Sequence, residues 1–139
     1  MNDQQRMVGE FMRAFGQNVP STYTIREFPG KLRAELIREE AEEFAQAISE
    51  GHHIKALDAL CDLLYVTYGA ACAYGVDIEP LFAEVHRSNM SKLGADGKPI
   101  YREDGKVLKP SHWSAPNIMD ILANQVGMYY LQQIDESAT

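Results

Sequence analysis

The stretch Glu39-Glu40-Ala41-Glu42-Glu43 interrupts a segment, Leu32–Ile48, that otherwise has the spacing of a core-facing helix. At about 100° per residue, Glu40 falls inside the apolar stripe of that helix and Glu43 falls beside it. Residues three or four apart are neighbours, so the carboxylates of Glu39, Glu40 and Glu43 crowd one turn. Buried like charges are unfavourable without a cation, and a divalent cation with oxygen ligands is the simplest candidate. A solvated acidic face is the alternative.

A second acidic pair follows on the next predicted helix, His53–Tyr74, which is apolar nearly all round and is expected to be the central, most buried helix. Asp58 and Asp62 are four residues apart and therefore share one face. Asp62 lies within an apolar run, which predicts a buried carboxylate that either binds metal or is satisfied by hydrogen bonds; for Asp58, a helix-dipole or solvent role is the alternative. Acidic patches on adjacent helices would supply oxygen ligands for one or more Mg²⁺ or Mn²⁺ ions.

Length, charge and composition limit the class of protein. A chain of 139 residues suits one domain, and a net charge of -7 argues against binding to the nucleic acid backbone. The N-terminus lacks a signal-peptide core, and no apolar run is expected to approach the ~20 residues that span a bilayer. Cys61 and Cys72 resemble small core residues of a reducing compartment. We therefore expect a cytoplasmic protein whose partners include neither membrane nor nucleic acid.

Helical periodicity and helix-breaking residues predict an all-α fold, an antiparallel four-helix-type bundle with short connections. A longer loop, Gln17–Gly30, is expected to have a function. A last helix is expected to dock on its own bundle or on another subunit, and the final six residues are expected to be frayed. The predicted helices are, in chain order, Asn2–Phe15, Lys31–Glu50, His53–Tyr74, Ile78–Asn89 and Ser114–Gln133.

A basic segment lies inside this single predicted domain, 1–139. Six of the thirteen basic residues fall between Arg87 and Lys109, and Asp104-Gly105 is a strong two-residue hairpin signal. We predict a small irregular hairpin, or flap, over 87–113. Magnesium commonly takes carboxylates together with substrate phosphates, so lysines facing the acidic patches imply a nucleotide polyphosphate between them.

Other kinds of site fit less well. A ferritin-like di-iron bundle needs Glu-x-x-His on two helices, and only Glu50-Gly51-His52-His53 has the spacing, with a helix-breaking glycine inside it. The glycines form no phosphate loop of the Walker type and are typical of turns. No hydroxyl or thiol group has a paired base, so nucleophilic catalysis is unsupported.

The order of these motifs resembles that of the all-α nucleoside triphosphate pyrophosphohydrolases. That superfamily includes MazG, the dimeric dUTPases and the phosphoribosyl-ATP pyrophosphohydrolases. Glu39-Glu40-x-x-Glu43 followed by Asp58 and Asp62 is similar to its metal motif, and Glu84–Lys92 and Gly105–Pro110 resemble the phosphate-contacting tail of the MazG-like and phosphoribosyl-ATP pyrophosphohydrolase-like branch. The similarity runs from about Phe11 to Leu122. The metal motif usually continues as ExxD, but Ala59 stands three residues before Asp62, so either Asp58 substitutes or one ligand is missing.

The resemblance implies hydrolysis of a (d)NTP or related nucleotide between its α and β phosphates, which yields a monophosphate and pyrophosphate. Mg²⁺, or Mn²⁺, would be held by Glu39, Glu40, Glu43 and Asp62, with Asp58 assisting, and would activate the attacking water. Glu39 and Glu40 are the expected catalytic carboxylates, with Glu39 as the proton acceptor. The residues implied in phosphate binding are Asn89, Lys92, Lys98, Lys106 and Lys109.

The same resemblance implies a homodimer or a dimer of dimers. Recognition of the base is left open between the Gln17–Phe28 loop and Trp113. Two other functions stay open: a non-catalytic nucleotide or metal sensor on the same bundle, favoured by the missing ExxD glutamate, and a helical interaction protein with an acidic surface.

Overall fold

The computed structural model describes residues 1–126, and five helices account for most of this part of the chain. Between residues 1 and 126 the only extended pairings are single bridges, so the predicted all-α class is confirmed. The first four helices agree with the predicted bounds to within a residue. The fifth begins four residues later than predicted, and its predicted end and the final six residues lie outside the described residues. The helices are α1 (Asp3–Ala14), α2 (Gly30–Ser49), α3 (His53–Tyr74), α4 (Ile78–Met90) and α5 (Ile118–Val126).

Local signals explain where these helices begin and end. Asn2 caps α1, because its side-chain oxygen accepts a hydrogen bond from the Gln5 amide at 2.8 Å. Gly51 and Gly75 follow α2 and α3 with φ values of 72° and 73°, the left-handed conformation that terminates helices. At Gly75 space is also limiting, since a Cβ atom there would lie 2.2 Å from the backbone oxygen of Thr22.

The chain divides into two compact units, with the boundary between Ile78 and Glu79. In the first unit α3 packs against both α1 and α2. Helices α2 and α3 are antiparallel neighbours, because only residues 50–52 connect them.

The core of the first unit lies between α1 and α3. It is formed by Val8, Met12, Cys72 and Ala73. Cys72 is buried as expected, whereas Cys61 is exposed, so the prediction of two core cysteines is wrong for Cys61.

A buried glutamine ties α1 to the segment that follows α3. The Gln5 amide nitrogen donates to the Val76 carbonyl at 2.7 Å, and its oxygen accepts from the Ile78 amide at 3.0 Å. Both polar ends of this side chain are therefore satisfied, as a fully buried amide requires.

The loop between α1 and α2 is anchored on the last turn of α3. The Phe28 ring stacks on Tyr74 with centroids 3.5 Å apart, and the Thr24 amide donates to the Tyr74 carbonyl at 2.9 Å. Tyr74 is twelve residues from Asp62, a separation of about 18 Å along the helix.

The prediction that α3 is the most buried helix is wrong for its large side chains. Leu57, Leu60 and Leu64 are 59%, 39% and 56% exposed. The buried positions carry small residues, because these allow neighbouring helices to approach closely, and the large apolar groups lie elsewhere on the helix. The buried positions of α3 are Ala56, Ala59, Gly69, Ala71, Cys72 and Ala73.

Helix α3 is also long and apolar enough to cross a membrane by length and composition, contrary to the sequence-based expectation. This is weak evidence for a membrane span, since core helices of soluble proteins satisfy the same criteria. The helix packs against α1 and α2 and carries Asp58 and Asp62.

The predicted hairpin is confirmed as an irregular one in the second unit. Single antiparallel bridges join Leu93 to Pro99 and Tyr101 to Val107. The Arg102 amide donates to the Lys106 carbonyl at 2.8 Å across the Asp104-Gly105 turn, and Gly105 has a φ of 85°.

Glu84 connects α4 to the start of α5. Its carboxylate accepts two hydrogen bonds from the Arg87 guanidinium, at 2.8 and 2.9 Å, and one from the Asn117 amide at 2.9 Å. The Arg87 hydrogen bonds, followed by the Asn117 amide, lower the pKa of Glu84 to about 2. Ser88 adds a hydrogen bond of 2.8 Å to the Ser114 carbonyl.

We expect an NMR titration of the Glu84 side-chain carboxyl to give a midpoint near 2, well below the ordinary glutamate value of 4.5. A depressed folded-state pKa means that the stabilisation is complete above pH 4.5 and is lost as pH falls toward 2. In Arg87→Gln the midpoint should move toward 4.5. A wild-type midpoint at the ordinary value would refute this account of the α4–α5 connection.

Candidate metal centre

Three carboxylates from two helices meet on the surface of the first unit. Glu40 and Glu43 of α2 and Asp62 of α3 each present an oxygen, and these oxygens all lie within 4.8 Å of one another. We call this group the carboxylate triad. Two of its members come from one turn of α2, and the third comes from the adjacent antiparallel helix, as the sequence predicts for a shared site.

Glu40 has the least favourable environment of the three carboxylates in the triad. Its Oε2 atom is shielded from solvent and has no hydrogen-bond partner among the described residues. Burial raises the pKa of Glu40, and the charges of Glu43, Asp62 and Glu39 raise it further. An unsatisfied carboxylate oxygen beside two further carboxylates is a fit for a hard divalent cation, which would satisfy that oxygen and offset the repulsion.

The prediction that Asp62 is buried is wrong, because its side chain is exposed. The apolar residues around it in sequence lie on other sides of α3, so the run of hydrophobic neighbours did not imply burial. Exposure leaves one side of the carboxylate triad open, which gives a ligand in solution a route to it.

The other two predicted metal ligands lie outside the carboxylate triad. Glu39 is exposed and lines a shallow depression with Glu42 and Glu43. Asp58 lines a groove of about 390 Å³ that runs along α2 and α3 and also contains Glu43. Glu43 lines both the depression and the groove, so Glu39 and Asp58 each share one surface with a member of the triad.

The groove contains groups that the sequence analysis did not select. Gln46 and Lys55 line it, and the Gln46 amide donates to Glu50 at 2.7 Å. The signal was available, since Gln46 follows Glu43 by three residues and Lys55 precedes Asp58 by three.

Buried Ala59 also lines this groove, at the position where the related metal motif has glutamate. The groove thus includes the position at which this chain has alanine instead of the glutamate of the ExxD motif.

The predicted phosphate-binding residues all belong to the second unit. Asn89 accepts a hydrogen bond from the Lys92 ammonium at 3.0 Å, and the Lys109 ammonium lies 4.3 Å from the centroid of the Trp113 ring. Lys98 and Lys106 are exposed. Their approach to a substrate stays a prediction.

Residues 8–89 match a family model described as phosphoribosyl-ATP pyrophosphohydrolase, and this range contains the whole carboxylate triad. The chain belongs to this family. The match agrees with the resemblance to the MazG-like and phosphoribosyl-ATP pyrophosphohydrolase-like branch that the sequence motifs predicted. Metal dependence is typical of the family, and the carboxylate triad is the group of described residues that suits a metal.

Two individual proteins are similar to this family member. An uncharacterized protein, L479 of Acanthamoeba polyphaga mimivirus, is 31% identical over 107 residues, which are 73% of this chain and 40% of the viral protein. The chain therefore spans about two fifths of that relative's length. A candidate NTP pyrophosphohydrolase from Exiguobacterium sp. 255-15 has a solved structure with 30% identity and a TM-score of 0.48, over 96% of this chain and 76% of the other.

We expect Glu40→Gln to raise the melting temperature of the metal-free protein by a few degrees, because it removes one of three crowded charges. A raised folded-state pKa means that metal-free wild type gains stability as pH falls through that pKa toward the ordinary value of 4.5. The variant should therefore show a flatter dependence of melting temperature on pH. Thermal denaturation in EDTA, followed by circular dichroism, measures both effects.

Glu42→Gln is the matched control, since it removes an exposed carboxylate from the same helix. With Mg²⁺ or Mn²⁺ in excess, wild type should have a higher melting temperature than Glu40→Gln, because it binds the cation more tightly. A strongly destabilised metal-free Glu40→Gln protein would contradict the repulsion argument.

Proposed function

We propose that this protein is a Mg²⁺-dependent nucleoside triphosphate pyrophosphohydrolase that releases pyrophosphate and a nucleoside monophosphate. The observation that carries the proposal is the carboxylate triad, with its unsatisfied Glu40 oxygen, inside the region that matches the family. The expected substrates are (d)NTPs or related nucleotides, and the expected role is removal of unwanted nucleotides from the cytoplasmic pool.

In this proposal Glu40, Glu43 and Asp62 would hold the cation, and the exposed side of the triad would be accessible to the triphosphate. When bound, the cation supplies positive charge to the phosphate oxygens and increases the acidity of water. Asp58 lines the same groove as Glu43 and would assist in holding the cation.

Glu39 is our proposed proton acceptor. It is exposed, it adjoins Glu40, and it lies outside the carboxylate triad, so its carboxylate is not committed to the cation. A water oxygen attacks the α-phosphorus, its proton passes to Glu39, and the bond from the α-phosphorus to the bridging oxygen breaks. Pyrophosphate leaves with the bonding electrons. The resemblance implies that the Asn89 amide and the ammonium groups of Lys92, Lys98, Lys106 and Lys109 would bind the β and γ phosphates.

A non-catalytic nucleotide or metal sensor is the second candidate function. The specific observation in its favour is Ala59, which leaves a groove where a fourth carboxylate would stand. A sensor would bind nucleotide and cation without releasing pyrophosphate.

We also propose that the protein self-associates through one face of α1 and α3. Apolar side chains are exposed on both helices, and the Phe11 and Tyr65 rings meet edge to face with centroids 5.6 Å apart. Between the helices runs an apolar groove of about 500 Å³. Exposed apolar surface of this extent is typical of protein interfaces, and a second copy with the same surface would cover it. The exposed residues are Met7, Phe11, Phe15, Leu57, Leu60, Leu64 and Tyr65.

Leu64→Glu should convert the dimer to a monomer, because it places a charge at the centre of this apolar face. Light scattering after size-exclusion chromatography measures the mass. Met119→Glu, at an equally exposed apolar position on α5, is the control and tests the alternative interface that the sequence suggested. Dissociation by Met119→Glu but not by Leu64→Glu would move the interface to α5.

Incubation with a panel of (d)NTPs and Mg²⁺ should release pyrophosphate from at least one of them. Asp62→Asn should lower kcat about 100-fold or more without a comparable loss of stability. The control variant Glu42→Gln should keep the kcat of wild type. In ¹⁸O-labelled water the label should enter the monophosphate, because the attack is on the α-phosphorus. Nucleotide binding without turnover of any triphosphate would favour the sensor, and label in the pyrophosphate would refute the proposed bond cleavage.

A further inference from the structure

Arg33 is the one charged residue that is buried among residues 1–126. It lies in the first turns of α2 and is only 8% exposed. Buried arginines are normally paired with carboxylates or with several carbonyl groups, because an isolated cation loses its hydration. Its contacts therefore need a separate explanation.

The contacts of Arg33 are few and neutral. Nη2 donates to the Gln17 side-chain oxygen at 3.2 Å, and Nε has no hydrogen-bond partner among the described residues. Nη1 lies against Gly69 of α3, so closely that a Cβ atom on that glycine would be 2.8 Å from it. Burial lowers the pKa of Arg33, in keeping with the absence of a carboxylate partner in the described part of the chain.

An apolar side chain would fill this position at a lower cost of desolvation. The guanidinium instead occupies a gap that the missing Cβ of Gly69 leaves on α3, and a Cβ at that position would have to displace it. A planar, rigid group that enters a gap in the facing helix resists sliding of one helix along the other.

The position of this contact relates it to the carboxylate triad. Arg33 precedes Glu40 by seven residues on α2, and Gly69 follows Asp62 by seven residues on antiparallel α3. Seven residues are about two helical turns, so both contacts lie on the same side of each helix and at matching heights.

We infer that Arg33 is a positioning residue, which through its contact with Gly69 sets the register of α2 on α3 so that Glu40, Glu43 and Asp62 meet. The inference rests on the proposed metal-binding function, and it adds a residue that touches neither cation nor substrate. A slip of one turn would displace the two helices by about 5.4 Å, more than the spacing of the triad oxygens.

For Arg33→Met, a purely electrostatic role and a positioning role of Arg33 predict opposite changes in cation affinity. Removing a positive charge near three carboxylates should, through electrostatics alone, strengthen cation binding slightly. Loss of the register should weaken it. We expect the Mn²⁺ dissociation constant, measured by electron paramagnetic resonance, to rise about tenfold, while helical content and melting temperature without metal stay the same or increase.

Arg38→Met is the matched control, because it removes an exposed arginine from the same helix. It should leave Mn²⁺ affinity unchanged or slightly higher, and Arg33→Lys should recover part of the loss. Gly69→Ala keeps the charge and should weaken Mn²⁺ binding as well, since its Cβ displaces the guanidinium. The double variant Arg33→Met/Gly69→Ala should bind no more weakly than the worse single variant.

A second measurement needs no metal. Spin labels at exposed Lys31 and Ile54, introduced as cysteines with Cys61→Ser and diluted with unlabelled chain, report the distance between α2 and α3. We expect one narrow distance distribution with Arg33 and a shifted or broadened one in Arg33→Met.

The outcomes separate the two proposals. Wild type that binds no Mn²⁺ refutes the proposed metal site, and the spin-label distances then decide the role of Arg33 alone. Wild-type distances and Mn²⁺ affinity in Arg33→Met overturn the positioning role and leave the metal site intact. A loss of affinity that merely follows a loss of melting temperature also overturns it.

Discussion

Repulsion among Glu40, Glu43 and Asp62 is the constraint on which the rest of the first unit depends. Three acidic oxygens within 4.8 Å of one another are brought together by the packing of α2 on α3. The packing of α2 on α3 must therefore supply more stabilisation than the carboxylates remove. The crowded carboxylates thus lower the stability of the metal-free protein, and the proposed cation would restore it.

The distribution of side-chain size on α3 follows from this requirement. Small residues such as Ala56, Ala59 and Gly69 occupy its buried positions, which lets α1 and α2 come close enough for carboxylates on separate helices to meet. The large apolar residues are left for the outer face. The same helix thus contributes Asp62 to the carboxylate triad and exposes Leu57, Leu60 and Leu64, the apolar residues through which we propose self-association.

The sequence was sufficient for the helices and for three carboxylates that meet, whereas Glu39 and Asp58, also predicted as metal ligands, lie outside that group. Glycines at 51 and 75 and the periodicity of apolar residues located the helix ends, and the spacing of Glu40, Glu43 and Asp62 identified the carboxylate triad. Those signals are local or nearly so, because each depends on residues within one turn or on one helix face.

The sequence did not predict the burial of individual side chains, because burial depends on which side of a helix the neighbouring helices cover. Asp62 and Leu64 lie in an apolar run, but the buried positions of α3 are the small ones, so hydrophobicity overestimated burial at both. Arg33 shows the opposite error, since an arginine early in a helix is normally expected to reach solvent. Its guanidinium lies against Gly69, thirty-six positions later, and no local pattern encodes that contact.

The close approach at Gly75 has a consequence for how variants of this protein should be interpreted. A larger residue there would collide with the backbone of Thr22, which cannot rotate aside as a side chain can, and would also need a backbone conformation that it seldom adopts. The position thus admits essentially one amino acid, although it is thirteen residues from Asp62, about 20 Å along the helix axis. An inactive variant at this site would report a chain that cannot close its loop, and intolerance to substitution here would not by itself make Gly75 a ligand of metal or substrate.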